Sequence, residues 1–212
     1  MIKPPKELID LFKSTHGAMS VAEGIALYNL CLIAPEGDCV ELGSHKGKSS
    51  VMIAAATKGG KIIFHLVEPE FLDADWMINV AKRIWELLPL NNFIQWPNYS
   101  TDILPKIEKI AFLFVDSGDH GEEIVQSEKP LYEDKIVSGG IIAFHDFGNQ
   151  FTAVARCYEQ LIATGKYEPI EIDWPSILAY VKENNLEEGN QSWHLYPELP
   201  HSPNFVGALR RK

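Results

Sequence analysis

The chain has 212 residues and a formal net charge of −10, with an apolar share ordinary for a globular protein. That length gives one domain with its own core, here taken as 1–212, and the acidic balance excludes a phosphate backbone as the expected partner, so no nucleic acid is anticipated. Three scattered cysteines, Cys31, Cys39 and Cys157, exclude a disulfide framework; together with the absence of an apolar run near the ~20 residues of a membrane span, or of a leader-like core after Met1, they point to the cytoplasm and to no membrane partner.

Residues 6–13 read as a short amphipathic helix and 20–34 as a longer one, with Ser20 as N-cap and Glu23 in the capping-box position. These form an N-terminal helical cover over 1–34. Pro35 to Asp38 is a turn, and Cys39-Val40-Glu41-Leu42 is the first strand. A glycine-bearing loop leads into a helix over 48–57, ended by Gly59-Gly60. Lys61–Val67 is a second strand, 73–88 a helix stopped by Pro89, and Phe93–Trp96 a third strand. Ile110–Val115 is apolar throughout, as a buried parallel strand is. Residues 121–135 read as helical, with Pro130 expected to kink or divide them. Gly139-Gly140 turns into a fifth strand, Ile141–Phe144. A helix over 150–163 and strands over 167–172 and 205–209 complete the pattern. Strands alternating with helices indicate an α/β, Rossmann-like doubly wound sheet.

Two further stretches stand apart. Arg210-Arg211-Lys212 reads as a solvated tail. Residues 174–204 are too long for an ordinary connection. They read as a lid, as a contact in a homo-oligomer, or as a packed surface excursion, with Trp174, Trp193 and Tyr196 available to wall a pocket.

A doubly wound sheet binds its ligand at the carboxyl ends of its strands, and here those ends are polar. Glu41 and Gly43 to Gly47 follow strand one. Glu68 and Glu70 follow strand two, Asn98, Ser100 and Asp102 strand three. Asp116, Asp119 and His120 follow strand four, and His145-Asp146 strand five. The first loop, Gly43-Ser44-His45-Lys46-Gly47-Lys48-Ser49, admits three readings. A dinucleotide fingerprint requires a glycine where His45 stands. A phosphate loop requires one more residue, although Phe112 to Asp116 mimics the second motif of such enzymes. A Gly-x-x-x-Gly adenosine-binding turn fits without alteration. Glu68 adds to it, since an acid about 20 residues past the loop is placed to accept from both ribose hydroxyls. Asp116, Asp119, His120, His145 and Asp146 lie at neighbouring strand ends. Together they suit a divalent ion, the carboxylates favouring Mg²⁺ and a histidine ligand moving preference toward Mn²⁺ or Fe²⁺. The alternative without an ion is that His145 hydrogen-bonds across the strand ends and Asp146 caps a helix.

The run from Val40 to Ser50 resembles motif I of class I S-adenosylmethionine-dependent methyltransferases. Gly17-Ala18-Met19-Ser20, Glu23-Gly24, Leu27-Tyr28, Val115-Asp116 with His120, and Gly139 to Asp146 resemble its small O-methyltransferase-like branch. That branch includes macrolide-sugar O-methyltransferases and cephalosporin-hydroxylase-like proteins. The resemblance implies a seven-stranded sheet with its last strand antiparallel. It implies S-adenosyl-L-methionine as cofactor, with Glu41, Gly43, Ser44, Gly47 and Ser49 near the methionine moiety, Glu68 on the ribose, Ser100 near the adenine, and Asp116 beside them. It also implies Mg²⁺ or Mn²⁺ on Asp116 and Asp146, with His145 alongside. Two departures stand out. The branch spaces its Asp and His after strand four one residue closer than Asp116 and His120, and metal-dependent members often carry an acid or amide where His145 stands. The expected activity is methyl transfer to a hydroxyl of a small molecule. His145 and His120 are the candidate bases, because histidine titrates near neutral pH. A module that binds the cofactor without turnover is the alternative from outside the enzymes.

Overall fold

The computed structural model describes residues 1–15, 17, 19–44, 47–57, 64–67, 93–96, 99–117, 121–147, 152–186 and 206–212. Helix α1 (Lys6–Ser14) leads to α2 (Val21–Leu32), whose N-terminus is fixed by the capping box read from the sequence. The Glu23 N–H donates to Ser20 Oγ at 3.2 Å, and the Ser20 N–H donates to Glu23 Oε2 at 2.7 Å. Strand β1 (Cys39–Leu42) and helix α3 (Lys48–Ala56) follow. Next come β2 (Phe64–Val67), β3 (Phe93–Trp96), a one-turn helix α4 (Ser100–Ile103) and β4 (Ile110–Val115). Helix α5 (Glu122–Tyr132), β5 (Ile136–Phe144), α6 (Thr152–Ala163), β6 (Tyr167–Pro169), α7 (Trp174–Glu183) and β7 (Gly207–Arg211) complete the order. The helix expected over 73–88, and residues 61–63 of the second strand, lie outside the described residues.

The strands form one mixed, Rossmann-like sheet in the order β3-β2-β1-β4-β5-β7-β6. Strands β1 to β5 pair in parallel, and β7 runs antiparallel to both β5 and β6. The order reverses between β1 and β4, which places the switch point where Leu42 and Val115 end in register.

Side-chain alternation divides the core into two faces. Cys39, Phe112, Phe114, Ile141 and Ala143 pack with α1, α2 and α3. Val40, Leu42, Leu113, Val115, Ile142 and Phe144 pack with α5 and α6. Continuing the count past each strand end puts Asp116 and His145 on the first face, under α2. Gly24 on α2 meets the Phe12 ring of α1, where a Cβ would come within 2.7 Å of the ring.

Several boundaries differ from the sequence reading. Pro130 neither divides nor ends α5, which runs on to Tyr132 although the proline brings no N–H to its last turn. The glycines Gly139 and Gly140 lie inside β5, where the register against β4 shifts between Ile110 and Phe112. Strand β6 stops at Pro169, short of 172. The terminal basic cluster is not a solvated tail: Arg210 and Arg211 belong to β7, and the Arg211 guanidinium donates to the carbonyls of Asp134 and Ile136. Part of the long stretch from 174 is a helix. Asp173 accepts from the Ser176 N–H at 3.2 Å, Pro175 stands in the first turn, and Ile177 and Val181 pack on Ile25 and Ala26 of α2. No helix among the described residues is long and apolar enough to cross a membrane.

The contact at Gly24 gives a test of the α1–α2 crossing. Gly24→Ala pushes a methyl into a fully buried ring and is expected to lower stability by about 1–3 kcal/mol in urea unfolding.

Candidate active site

The loop after β1 owes its shape to two glycines. Gly43 has φ 87° and Gly47 has φ 72°, both in the left-handed region that side chains disfavour. A Cβ on Gly43 would also collide with the Asp116 carbonyl, so the loop lies directly against the end of β4. The Asp116 N–H donates to the Leu42 carbonyl at 2.9 Å, and the Gly47 N–H to the Ser44 carbonyl at 2.7 Å. Gly47 caps α3 without a side-chain acceptor for the first-turn amides, which therefore face the loop.

Glu41 is fully buried and points to the α3 side. Its carboxylate accepts from Ser49 Oγ and, at 2.5 Å, from Ser50 Oγ. Of the residues placed near the cofactor by resemblance, Ser49 thus has its hydroxyl committed to Glu41, and Ser44 is buried. Lys48 carries its ammonium 4.9 Å from the centre of the Phe12 ring. Burial pushes it below the usual lysine range, with Glu23 acting in the opposite sense.

A second buried acid was not anticipated. Glu128 on α5 is fully buried and accepts from Ser100 Oγ and, at 2.6 Å, from Ser117 Oγ. It ties the start of α4 to the segment after β4. Ser100, expected near the adenine, has its hydroxyl held in this cluster. The signal was available: Val125, Glu128 and Tyr132 fall at helical spacing on one face, so the acid shares the buried side of α5.

The end of β5 brings the candidate chemistry together. The His145 N–H donates to the Val115 carbonyl at 3.0 Å, which sets His145 beside Asp116. Nδ1 of His145 lies 3.1 Å from Asp116 Oδ1 and 3.4 Å from Asp146 Oδ2. Nε2 faces the other way, 3.5 Å from Glu23 Oε1. Asp146 takes φ 54°, a left-handed conformation that aspartate tolerates better than most residues. Burial favours the neutral ring, but Asp116, Asp146 and Glu23 outweigh it and hold the His145 imidazole well above its ordinary range.

One nitrogen of His145 and one oxygen each of Asp116 and Asp146 lie within 4.8 Å of one another. Two carboxylates and an imidazole form a donor set suited to Mg²⁺ or Mn²⁺. His45, Glu68, Asp119, His120, Trp193 and Tyr196 lie outside the described residues. Trp174 opens α7 and packs against the buried residues around α2, so it serves the core as well as any pocket wall.

A family model described as a methyltransferase domain matches residues 40–147. No curated protein matches the chain. Among solved structures, TomG from Streptomyces achromogenes, an O-methyltransferase of tomaymycin synthesis in complex with SAM, is 18% identical with a TM-score of 0.62, covering 79% of this chain and 82% of its own. An O-methyltransferase from Bacillus cereus in complex with SAH is 16% identical with a TM-score of 0.59, covering 79% of this chain and 84% of its own. CalS11, a TDP-rhamnose 3′-O-methyltransferase of calicheamicin biosynthesis, is 12% identical with a TM-score of 0.58, covering 88% of this chain and 76% of its own. At these identities the likeness is one of fold.

The loop geometry makes a direct prediction. Gly43→Ala adds both a left-handed strain and a collision with backbone, and is expected to cost about 2–3 kcal/mol in urea unfolding. A loss under 0.5 kcal/mol on that scale would mean the loop does not lie against β4.

Proposed function

Because the chain belongs to the methyltransferase-domain family, we propose that it transfers the methyl group of S-adenosyl-L-methionine to a hydroxyl oxygen of a small polar metabolite, sugar-like in character, with a divalent ion held by Asp116, His145 and Asp146. The observation that carries this reading is the meeting of the left-handed glycine loop with the Asp116–His145–Asp146 cluster at the β1/β4 switch point. SAM and SAH in the TomG and Bacillus cereus structures support the cofactor, and the sugar nucleotide named for CalS11 supports the acceptor class.

Methyl transfer is an in-line displacement from a sulfonium that is already activated, so the protein's task is chiefly alignment. The first-turn amides of α3 suit the carboxylate of the cofactor's methionine moiety. Gly43 and Gly47 let the backbone approach it, and Glu41 holds the loop to α3 from beneath. Glu68 is assigned the ribose hydroxyls. A bound divalent ion supplies positive charge that lowers the pKa of an acceptor hydroxyl. Asp116, Asp146 and His145 Nδ1 would hold that ion beside the cofactor loop. His120 is assigned the acceptor's proton, because Nδ1 of His145 is given to the ion.

Calorimetry separates this reading from its rivals. S-adenosylhomocysteine is expected to bind, and ATP and NAD are not. Binding of ATP or NAD in its place would overturn the cofactor assignment, and binding without methyl transfer to any hydroxylated acceptor tried would make the chain a non-catalytic module. The ion has its own test. Asp146→Asn preserves a residue at ease in the left-handed turn but removes a charge, so Mn²⁺ affinity should fall at least about tenfold while S-adenosylhomocysteine affinity holds within about twofold.

A further inference from the structure

The two nitrogens of His145 face different surroundings. Nδ1 looks toward Asp116 and Asp146, at the sheet's carboxyl edge. Nε2 looks back toward the Glu23 carboxylate on α2, 3.5 Å away. Glu23 is 4% exposed, an uncommon place for the acid of a capping box. The cap uses one of its oxygens: Oε2 accepts from the Ser20 N–H at 2.7 Å, whereas Oε1 is the atom turned to His145. Capping alone gives no reason to bury this carboxylate against an imidazole, since buried charges persist where they are paired.

We propose that Glu23 is the positioning residue of the ion site: it accepts the Nε2–H of His145, fixes the ring's tautomer, and thereby presents Nδ1 with its lone pair to a divalent ion between Asp116 and Asp146. The inference rests on the metal-assisted reading above. A histidine ligand commonly donates its second N–H to a carboxylate, which fixes ring orientation and raises ligand basicity. Here the carboxylate is itself fixed, because the capping box holds its other oxygen. The N-terminus of α2 is therefore the support of the ion site as well as a cover over the sheet. Glu23 touches neither the ion nor the substrate and acts through His145.

The test is Mn²⁺ titration of the metal-free protein, read as the free-ion electron paramagnetic resonance signal, alongside thermal unfolding. Glu23→Ala should weaken Mn²⁺ binding by about 10–100-fold. Glu23→Gln closes the capping box as glutamate does, so α2 survives, yet binding should still weaken by about tenfold. Ser20→Ala removes the cap acceptor and leaves the Ser20 N–H that holds Glu23. It should lower the melting temperature and leave Mn²⁺ affinity within about twofold of wild type. Glu23→Gln binding Mn²⁺ like wild type would overturn the proposal, as would Ser20→Ala weakening it equally. A second readout needs no variant. The imidazole ¹⁵N shifts of the Mg²⁺-saturated protein should give His145 protonated at Nε2, and a proton at Nδ1 instead would overturn it. Failure of the wild-type protein to bind Mn²⁺ while it binds S-adenosylhomocysteine would end both this proposal and the ion, leaving the cofactor reading intact.

Discussion

A buried imidazole among three acids ties together parts of the chain far apart in sequence. His145 follows β5, Asp116 follows β4, and Glu23 opens α2, and all three converge because strand alternation and register leave no other face for them. Charges so placed are costly singly and tolerable together. Any change that shifts β5 against β4 by one residue would turn His145 away from α2 and toward α5 and α6. The sheet register, the seating of α2 and the candidate chemistry are thus one constraint.

The remaining buried acids are handled differently. Glu41 and Glu128 have serine hydroxyls on their carboxylates, two apiece. Each joins elements across the carboxyl edge: Glu41 joins β1 to α3, and Glu128, on α5, joins the start of α4 to the segment after β4. The loop between Gly43 and Gly47 is held from below by the first pair. The segment that bears Asp116 and Ser117 is held from the side by the second. Alignment of a cofactor and an acceptor needs such rigid supports, because small misplacements are costly to rate.

Much of this was legible in the residues. The strands from Cys39 and Ile110, the capping box at Ser20 and Glu23, and the glycine loop follow from periodicity and local turn chemistry. Strand parity also predicts that Asp116 and His145 share a face. What escaped the sequence was pairing between distant elements. Glu23 was fully accounted for by its cap, so nothing local pointed to His145. Nothing in residue type singled out Glu128, although its spacing from Val125 and Tyr132 set it on the buried side. His145 looked like an ordinary titrating histidine because residue type carries no record of three neighbouring carboxylates. Arg211 looked like tail because its carbonyl partners, Asp134 and Ile136, lie 77 and 75 residues away.

The central claim is that cofactor and ion meet at the carboxyl edge of β1, β4 and β5. Anomalous diffraction at the manganese edge, from crystals grown with Mn²⁺ and S-adenosylhomocysteine, tests it most directly. The account predicts one strong peak about 2.0–2.3 Å from Asp116, Asp146 and His145 Nδ1, with the nucleoside lying along the Gly43–Gly47 loop. Nucleoside density elsewhere, with no peak among those three side chains at saturating Mn²⁺, would contradict it.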